Sequence, residues 1–233
     1  MIYTSVASAA QEIVRATESK IVLGMPLGMG KPNPLVNELY SLACADSSIS
    51  LTILTALSLT RPRASGELQR RFLEPFVERV YADYEELDYL HAARTHSLPE
   101  NICVNEFFVQ PASELNNPYT QQNYINANYT HAARDMNNRG VNVIAQAIAR
   151  REVDGEHQFS LSCNPEVLLD ALPEVLQRRE RGEKLLVVGQ IHPDMPFMEN
   201  TAMVPADLFD MVIDDPAYTS QLICTPNMPC LLY

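Results

Sequence analysis

The segment Pro26-Leu27-Gly28-Met29-Gly30-Lys31-Pro32 carries the most suggestive spacing in the chain. It follows a short apolar run, residues 20–25, that reads as a buried strand. It precedes a helix for which Asn33 is a suitable cap and Pro34 a suitable first-turn residue. Backbone N–H groups in such a turn can face an anion, with the helix dipole behind them. Both well-known phosphate fingerprints fail, however. Five residues separate Gly24 from Gly30 where the Walker loop needs four, and Pro32 stands where a hydroxyl residue belongs. The dinucleotide pattern needs a glycine at position 33, which is Asn33. A tight turn that simply requires glycine explains the same residues.

Other catalytic constellations are poorly supported. Serine, histidine and aspartate are present, but no GxSxG elbow exists. No pair among His91, His96, His131, His157 and His192 has HExxH spacing, and His91 and His96 do not share a helix face. The five cysteines Cys44, Cys103, Cys163, Cys224 and Cys230 are widely spaced, with no CxxC pair and no zinc pattern. They read as reduced thiols of a cytoplasmic protein, and no metal site is expected. Glu85, Glu86 and Asp88 are explained as the acidic start of a helix.

The elements that would position these residues alternate. Helical spacing of Val6, Ala9, Ile13, Val14 and Ala16 predicts a helix over 5–19, and a second helix follows the glycine turn. Strands are predicted at 49–57, 101–109, 141–149, 159–162, 184–189 and 208–213. Helices are predicted at 67–81, interrupted or bent near Pro75, at 85–96, and from an Asn164 cap with Pro165 first to Arg181, closed by Gly182. This order implies parallel βαβ units: an α/β fold with a mainly parallel sheet flanked by helices. Residues 111–139, rich in Asn, Gln and Tyr, read as a long surface excursion with one short helix at 130–136, and loops of that length are usually functional or disordered. The Pro-punctuated end, 216–233, finishes in Cys230-Leu231-Leu232-Tyr233, as if the chain should continue.

The length of 233 residues and a hydrophobic fraction of 46% allow a sizeable core. No apolar run is long enough to cross a bilayer, and the first twenty residues do not read as a signal peptide. A net charge of −12 with scattered basic residues argues against nucleic acid and anionic membrane as partners. An anionic ligand would have to rely on local donors, because the global field opposes it.

Several segments in order resemble the acetyl-CoA hydrolase/transferase family. They are Ile21-Val22-Leu23-Gly24 through Pro32, then Leu51-Thr52-Ile53-Leu54-Thr55-Ala56-Leu57-Ser58, then Asn128-Tyr129-Thr130-His131-Ala132-Ala133. The strand pair Val141-Asn142-Val143-Ile144-Ala145-Gln146 and Phe159-Ser160-Leu161-Ser162 follows. Val187-Val188-Gly189-Gln190-Ile191-His192-Pro193-Asp194-Met195-Pro196 is similar to the family's strand ending in an Asn-Pro-x-Met-Pro element, with His192 where Asn is common. Leu208-Phe209-Asp210-Met211-Val212-Ile213 resembles the closing strand. The departures are Lys31 after the glycine turn and an unusually long region from 66 to 126.

The resemblance implies a CoA-transferase-like (NagB/RpiA-like) open α/β domain spanning 1–233, with the excursion at 111–139. It implies the amino-terminal half of an acyl-CoA:carboxylate CoA-transferase or acetyl-CoA hydrolase. The nucleophilic glutamate would lie in a second domain beyond residue 233. It would attack the acyl carbonyl to give an acyl-glutamyl anhydride, and the released CoA would return to form a glutamyl-CoA thioester. No catalytic residue is then expected in this chain. Gly28, Gly30, Lys31, Ser58 and Thr130 are the expected substrate-binding residues, with Ser58 and Thr130 beside the glycine turn. A coenzyme A thioester would be substrate, with no tightly bound cofactor. Expected partners are acyl-CoA, a small carboxylate, the carboxy-terminal domain and further copies in a homo-oligomer. Turnover by this chain alone would direct attention to Glu106 or Glu114. The alternatives are a sugar-phosphate isomerase-like enzyme that uses the glycine turn for phosphate, and a non-catalytic ligand-binding domain.

Overall fold

The computed structural model describes residues 1–218. The expected tail, with Cys224, Cys230 and the apolar end, lies outside the described residues. The chain runs β1 (Ile2–Tyr3), α1 (Val6–Ala16), β2 (Lys20–Leu27), α2 (Asn33–Ala45), β3 (Ser50–Ala56), α3 (Glu67–Val80), α4 (Tyr89–Arg94) and β4 (Ile102–Glu106). It continues through α5 (Pro118–Gln122), α6 (Ala132–Asn138), β5 (Val143–Val153), β6 (Glu156–Ser160), α7 (Glu166–Glu180), β7 (Leu186–Ile191), β8 (Met203–Val204) and β9 (Met211–Ile213).

The main sheet has the order β1-β9-β7-β5-β2-β3-β4, and every neighbouring pair in it is parallel. The α/β architecture with a mainly parallel sheet flanked by helices is therefore the one observed. Period-two alternation fills both faces. Leu23, Ile53, Val143 and Val188 pack with α1 and α2. Their neighbours Leu54, Ile144 and Val187 pack on the other face with α6 and α7. From β2 the chain proceeds to β3 and β4 in one direction. From β5 it proceeds to β7 and β9 in the other. The border of β2 and β5 is thus the topological switch point, where open α/β sheets leave a crevice at the carboxyl ends of the strands.

The sheet also has an antiparallel extension that the sequence pattern misses. β5 runs beyond the parallel ladder to Val153 and pairs antiparallel with β6 across an Asp154-Gly155 turn. Both turn residues have positive φ, 53° and 81°, which fits a tight two-residue hairpin. β6 in turn pairs with β8.

Three local expectations are corrected by tertiary contacts. The helix expected over 85–96 is only α4. The amides of α2 capture the chain before it: Asn33 Nδ2 donates to Glu85 O, Asn37 Nδ2 donates to Glu86 O, and Asp88 N–H donates to Asn37 Oδ1. Asn33 is not the cap of α2 but its first residue, its amide spent on this loop and on Tyr84. Asn164 is not the cap of α7, whose cap position is held by Pro165; its Oδ1 accepts from Gly30 N–H at 3.1 Å. Pro75 sits inside α3 without interrupting it, and the excursion at 111–139 folds into α5 and α6.

Candidate functional site

The crevice at the switch point is built from three chain segments. The turn at 28–31 enters from β2, Ala147 comes from β5, and Gln190, Ile191 and His192 come from the end of β7. Together with Asn33, Tyr84 and Glu85 they line a pocket of about 30 Å³, room for about one water. Gly28 has φ +51°, a conformation that favours glycine. At Gly30 a Cβ would lie 2.8 Å from Asn164 Cβ and 2.9 Å from Pro26 Cγ, so only glycine fits between them.

Gly30 and the first turn of α2 have their donors committed. Gly30 N–H goes to Asn164, Asn33 N–H to Lys31 O, Leu35 N–H to Gln190 Oε1 and Val36 N–H to Pro32 O, while Pro34 has no N–H. The first turn of α2 thus binds the protein itself. Asn33 Oδ1, on a side chain 6% exposed, has no partner among the described residues. His192 accepts from Asp194 N–H at Nδ1 (3.2 Å), which leaves Nε2 as the protonated nitrogen of the neutral ring. Burial pushes the His192 pKa down, opposed by Asp194 and Asp83.

Beside the crevice lies a second constellation, between the ends of β3 and β4. Lys31, 4% exposed, does not point at the pocket as a phosphate-binding lysine would. Its ammonium donates to the Ala56 and Leu57 carbonyls, the latter at 3.0 Å. Glu106 Oε1 accepts from Ser58 N–H at 3.2 Å and from Ser58 Oγ–H. Tyr89 OH lies 2.8 Å from Ser58 Oγ. These contacts hold Leu57 at φ +47°, a strained position for a branched residue. Burial pushes the Lys31 amine down to about 7, against the pull of Glu106. Burial also pushes the Glu106 carboxyl up, with Ser58 and Lys31 pulling it back. Lys31 and Glu106 thus fix the loop after β3 from a low-dielectric setting, each through its own hydrogen bonds.

Of the expected binding residues, Gly28, Gly30, Lys31 and Ser58 gather at one carboxyl edge. Thr130 is at the same edge but on the other layer. It is exposed on a 3-10 turn, Tyr129–His131. Its neighbour Tyr129 stacks on Phe107, centroids 6.3 Å apart, and donates to Glu166. Glu166 also accepts from Asn164 Nδ2 at 3.4 Å, so the 129–131 turn reaches Gly30 only through two intervening side chains. Sequence reasoning overlooked Tyr89, Asn164 and Gln190. Gln190 carried a usable signal: a polar residue ending an otherwise apolar parallel strand is placed at the ligand edge.

Among the described residues, no helix is long and apolar enough to cross a membrane, and no group of side chains could hold a metal ion. No protein-family model and no curated protein matches the sequence. Solved structures do match. RipA from Yersinia pestis superposes with a TM-score of 0.56 at 14% identity, over 92% of this chain and 42% of its own. A RipA point mutant gives 0.56 at 15% identity, over 92% and 41%. This chain spans about two fifths of the length of RipA. A 4-hydroxybutyrate CoA-transferase from Porphyromonas gingivalis covers 96% of this chain and 40% of its own at 10% identity, but its TM-score of 0.49 is below the level at which a common fold follows. The likeness to RipA is one of fold: a mainly parallel sheet with helices on both faces.

Proposed function

We propose that this chain forms the amino-terminal part of an acyl-CoA:carboxylate CoA-transferase or acyl-CoA hydrolase, with a nucleophilic glutamate supplied by a second α/β domain. The observation that carries this reading is the meeting of family-like segments at one place. The 26–32 segment and the 187–196 segment lie far apart in sequence, yet both line the switch-point crevice, with the end of the 51–58 segment beside them. Binding at the carboxyl edge of a parallel sheet is what this architecture favours. The crevice then serves as one wall of the cleft, its Gly28 and Gly30 backbone admitting the acyl group closely. Lys31 and Ser58 act behind that wall, fixing the loop after β3. A coenzyme A thioester and a small carboxylate are the proposed substrates.

The sugar-phosphate isomerase-like alternative needs free donors in the glycine turn. The commitment of Gly30, Asn33, Leu35 and Val36 N–H groups within the protein weighs against it. The experiment is thiol release from acetyl-, propionyl- and succinyl-CoA, with and without a carboxylate acceptor. The chain alone is expected to give none, and the same chain joined to a following domain that carries a glutamate is expected to turn over. Robust turnover by the chain alone would overturn the division of labour and make Glu106 the first carboxyl to replace.

A further inference from the structure

A second and larger concavity lies at Ser58 and Glu106 and shares no lining residue with the switch-point crevice. Its volume is about 420 Å³, within the usual range for small-molecule sites. Ser58 and Glu106 form its inner end. α3 lies along it with Leu73, Tyr81 follows just after that helix, and Leu90 of α4 lines another side. Arg63 and Arg94 stand at both this pocket and a contiguous one of about 450 Å³ that also holds His91.

The pocket is lined by two arginines, Arg63 and Arg94, and two glutamates, Glu106 and Glu114. Arg63 makes no ion pair among the described residues. Arg94 reaches Glu114 at 3.6 Å only, and is half exposed. The other oxygen of Glu114 is taken by Asn117 Nδ2 at 2.8 Å and Thr120 Oγ1 at 3.4 Å. Glu106 turns one oxygen to Ser58. The guanidinium of Arg63 therefore has no carboxylate paired to it among the described residues, in a chain whose net charge is −12. Planar guanidinium groups match carboxylates, and a local donor of this kind is what an anion needs to overcome the global field.

We infer that this pocket is a binding site for a small organic acid, with the carboxylate against Arg63 and Arg94 and the carbon stem along Leu73 and Leu90. The site stands apart from any reaction at the switch-point crevice, so its test contains no coenzyme A ester. The full chain is titrated calorimetrically with hexanoate and with hexan-1-ol. Hexanoate is expected to bind about tenfold more tightly than the alcohol, because only the acid can use the arginines. The Arg63→Gln, Arg94→Gln double variant is expected to weaken hexanoate about tenfold and leave the alcohol unchanged. Both arginines are solvent-facing, so the variant should keep its thermal midpoint, and an Arg134→Gln, Arg181→Gln double variant at two exposed positions outside the pocket serves as a charge-matched control that keeps its affinity. Equal affinity for acid and alcohol, hexanoate binding that survives the double variant, or no hexanoate binding at all would each overturn the assignment.

Discussion

The two halves of the carboxyl edge are built differently. Around β2, β5 and β7 most polar groups of the crevice are tied within the protein and the centres of the strands behind them are buried: Leu23, Val143 and Val188 are each 0% exposed. Around α3 the protein is loosely covered. Val80 is the only buried residue of that helix, while Leu68 and Phe72 are 84% and 83% exposed. The glycine turn is fixed by close backbone contact with Asn164 and Pro26, whereas the loop from Leu57 to Arg63 is fixed by side chains from below and roofed by a helix with little core of its own. The contrast teaches that a wall of fixed shape and a neighbouring pocket with a displaceable roof can share one sheet edge, because local stability follows the apolar area each element buries.

The sharpest way to break this comparison is a pair of truncations. Ile53→Ala, in the centre of β3, is expected to cost about 3 kcal/mol in chemical denaturation, as buried large-to-small changes do. Phe72→Ala should stay within about 0.5 kcal/mol, because its ring is already in water. Similar losses at both sites would show that α3 is not loosely held.

Lys31 sharpens the comparison through pH. Its amine titrates at about 7 in the fold and at 10.5 in its ordinary state. Between those values the unfolded chain binds a proton that the folded chain does not, so this group makes stability rise with pH across that window and contributes no slope below it. Each unit of depression corresponds to about 1.4 kcal/mol, so the rise amounts to a few kcal/mol. Lys31→Met should lose that rise when denaturation midpoints are compared across the window. A wild-type and variant pair that climb in parallel would place the titrating group elsewhere.

Gly30→Ala should cost about 2 kcal/mol, because the added methyl must push apart Asn164 and Pro26. Ser58→Ala comes next, at about 1 kcal/mol, from hydrogen bonds lost to Glu106 and Tyr89. Thr130→Ala, at an exposed turn, is expected to change stability by less than about 0.5 kcal/mol. Thermal melts in one buffer order the three. A Thr130 effect as large as that of Gly30 would mean that the 129–131 turn is coupled to the crevice more tightly than its indirect path suggests.

The sequence by itself determined the alternation of elements and most of their centres. Short apolar runs mark β2, β3 and β7, helical spacing marks α1, and start and stop residues mark α7, which Gly182, at φ +84°, closes where a left-handed residue is needed. These signals are local, and they survive because each element buries the face its own pattern defines. Only the tertiary structure decided what the polar residues near the turns do. Asn33 and Asn164 have the composition of helix caps, yet one holds the 84–85 loop and the other holds Gly30, because partners distant in sequence offered them better-placed groups. Lys31 reads as a solvent-facing anchor for an anion, yet it is buried beneath β3, because the carbonyls of Ala56 and Leu57 and the charge of Glu106 converge there. The strand order that creates the switch point is also a matter of long-range pairing, and a strand's pattern specifies which face is buried without naming its neighbour.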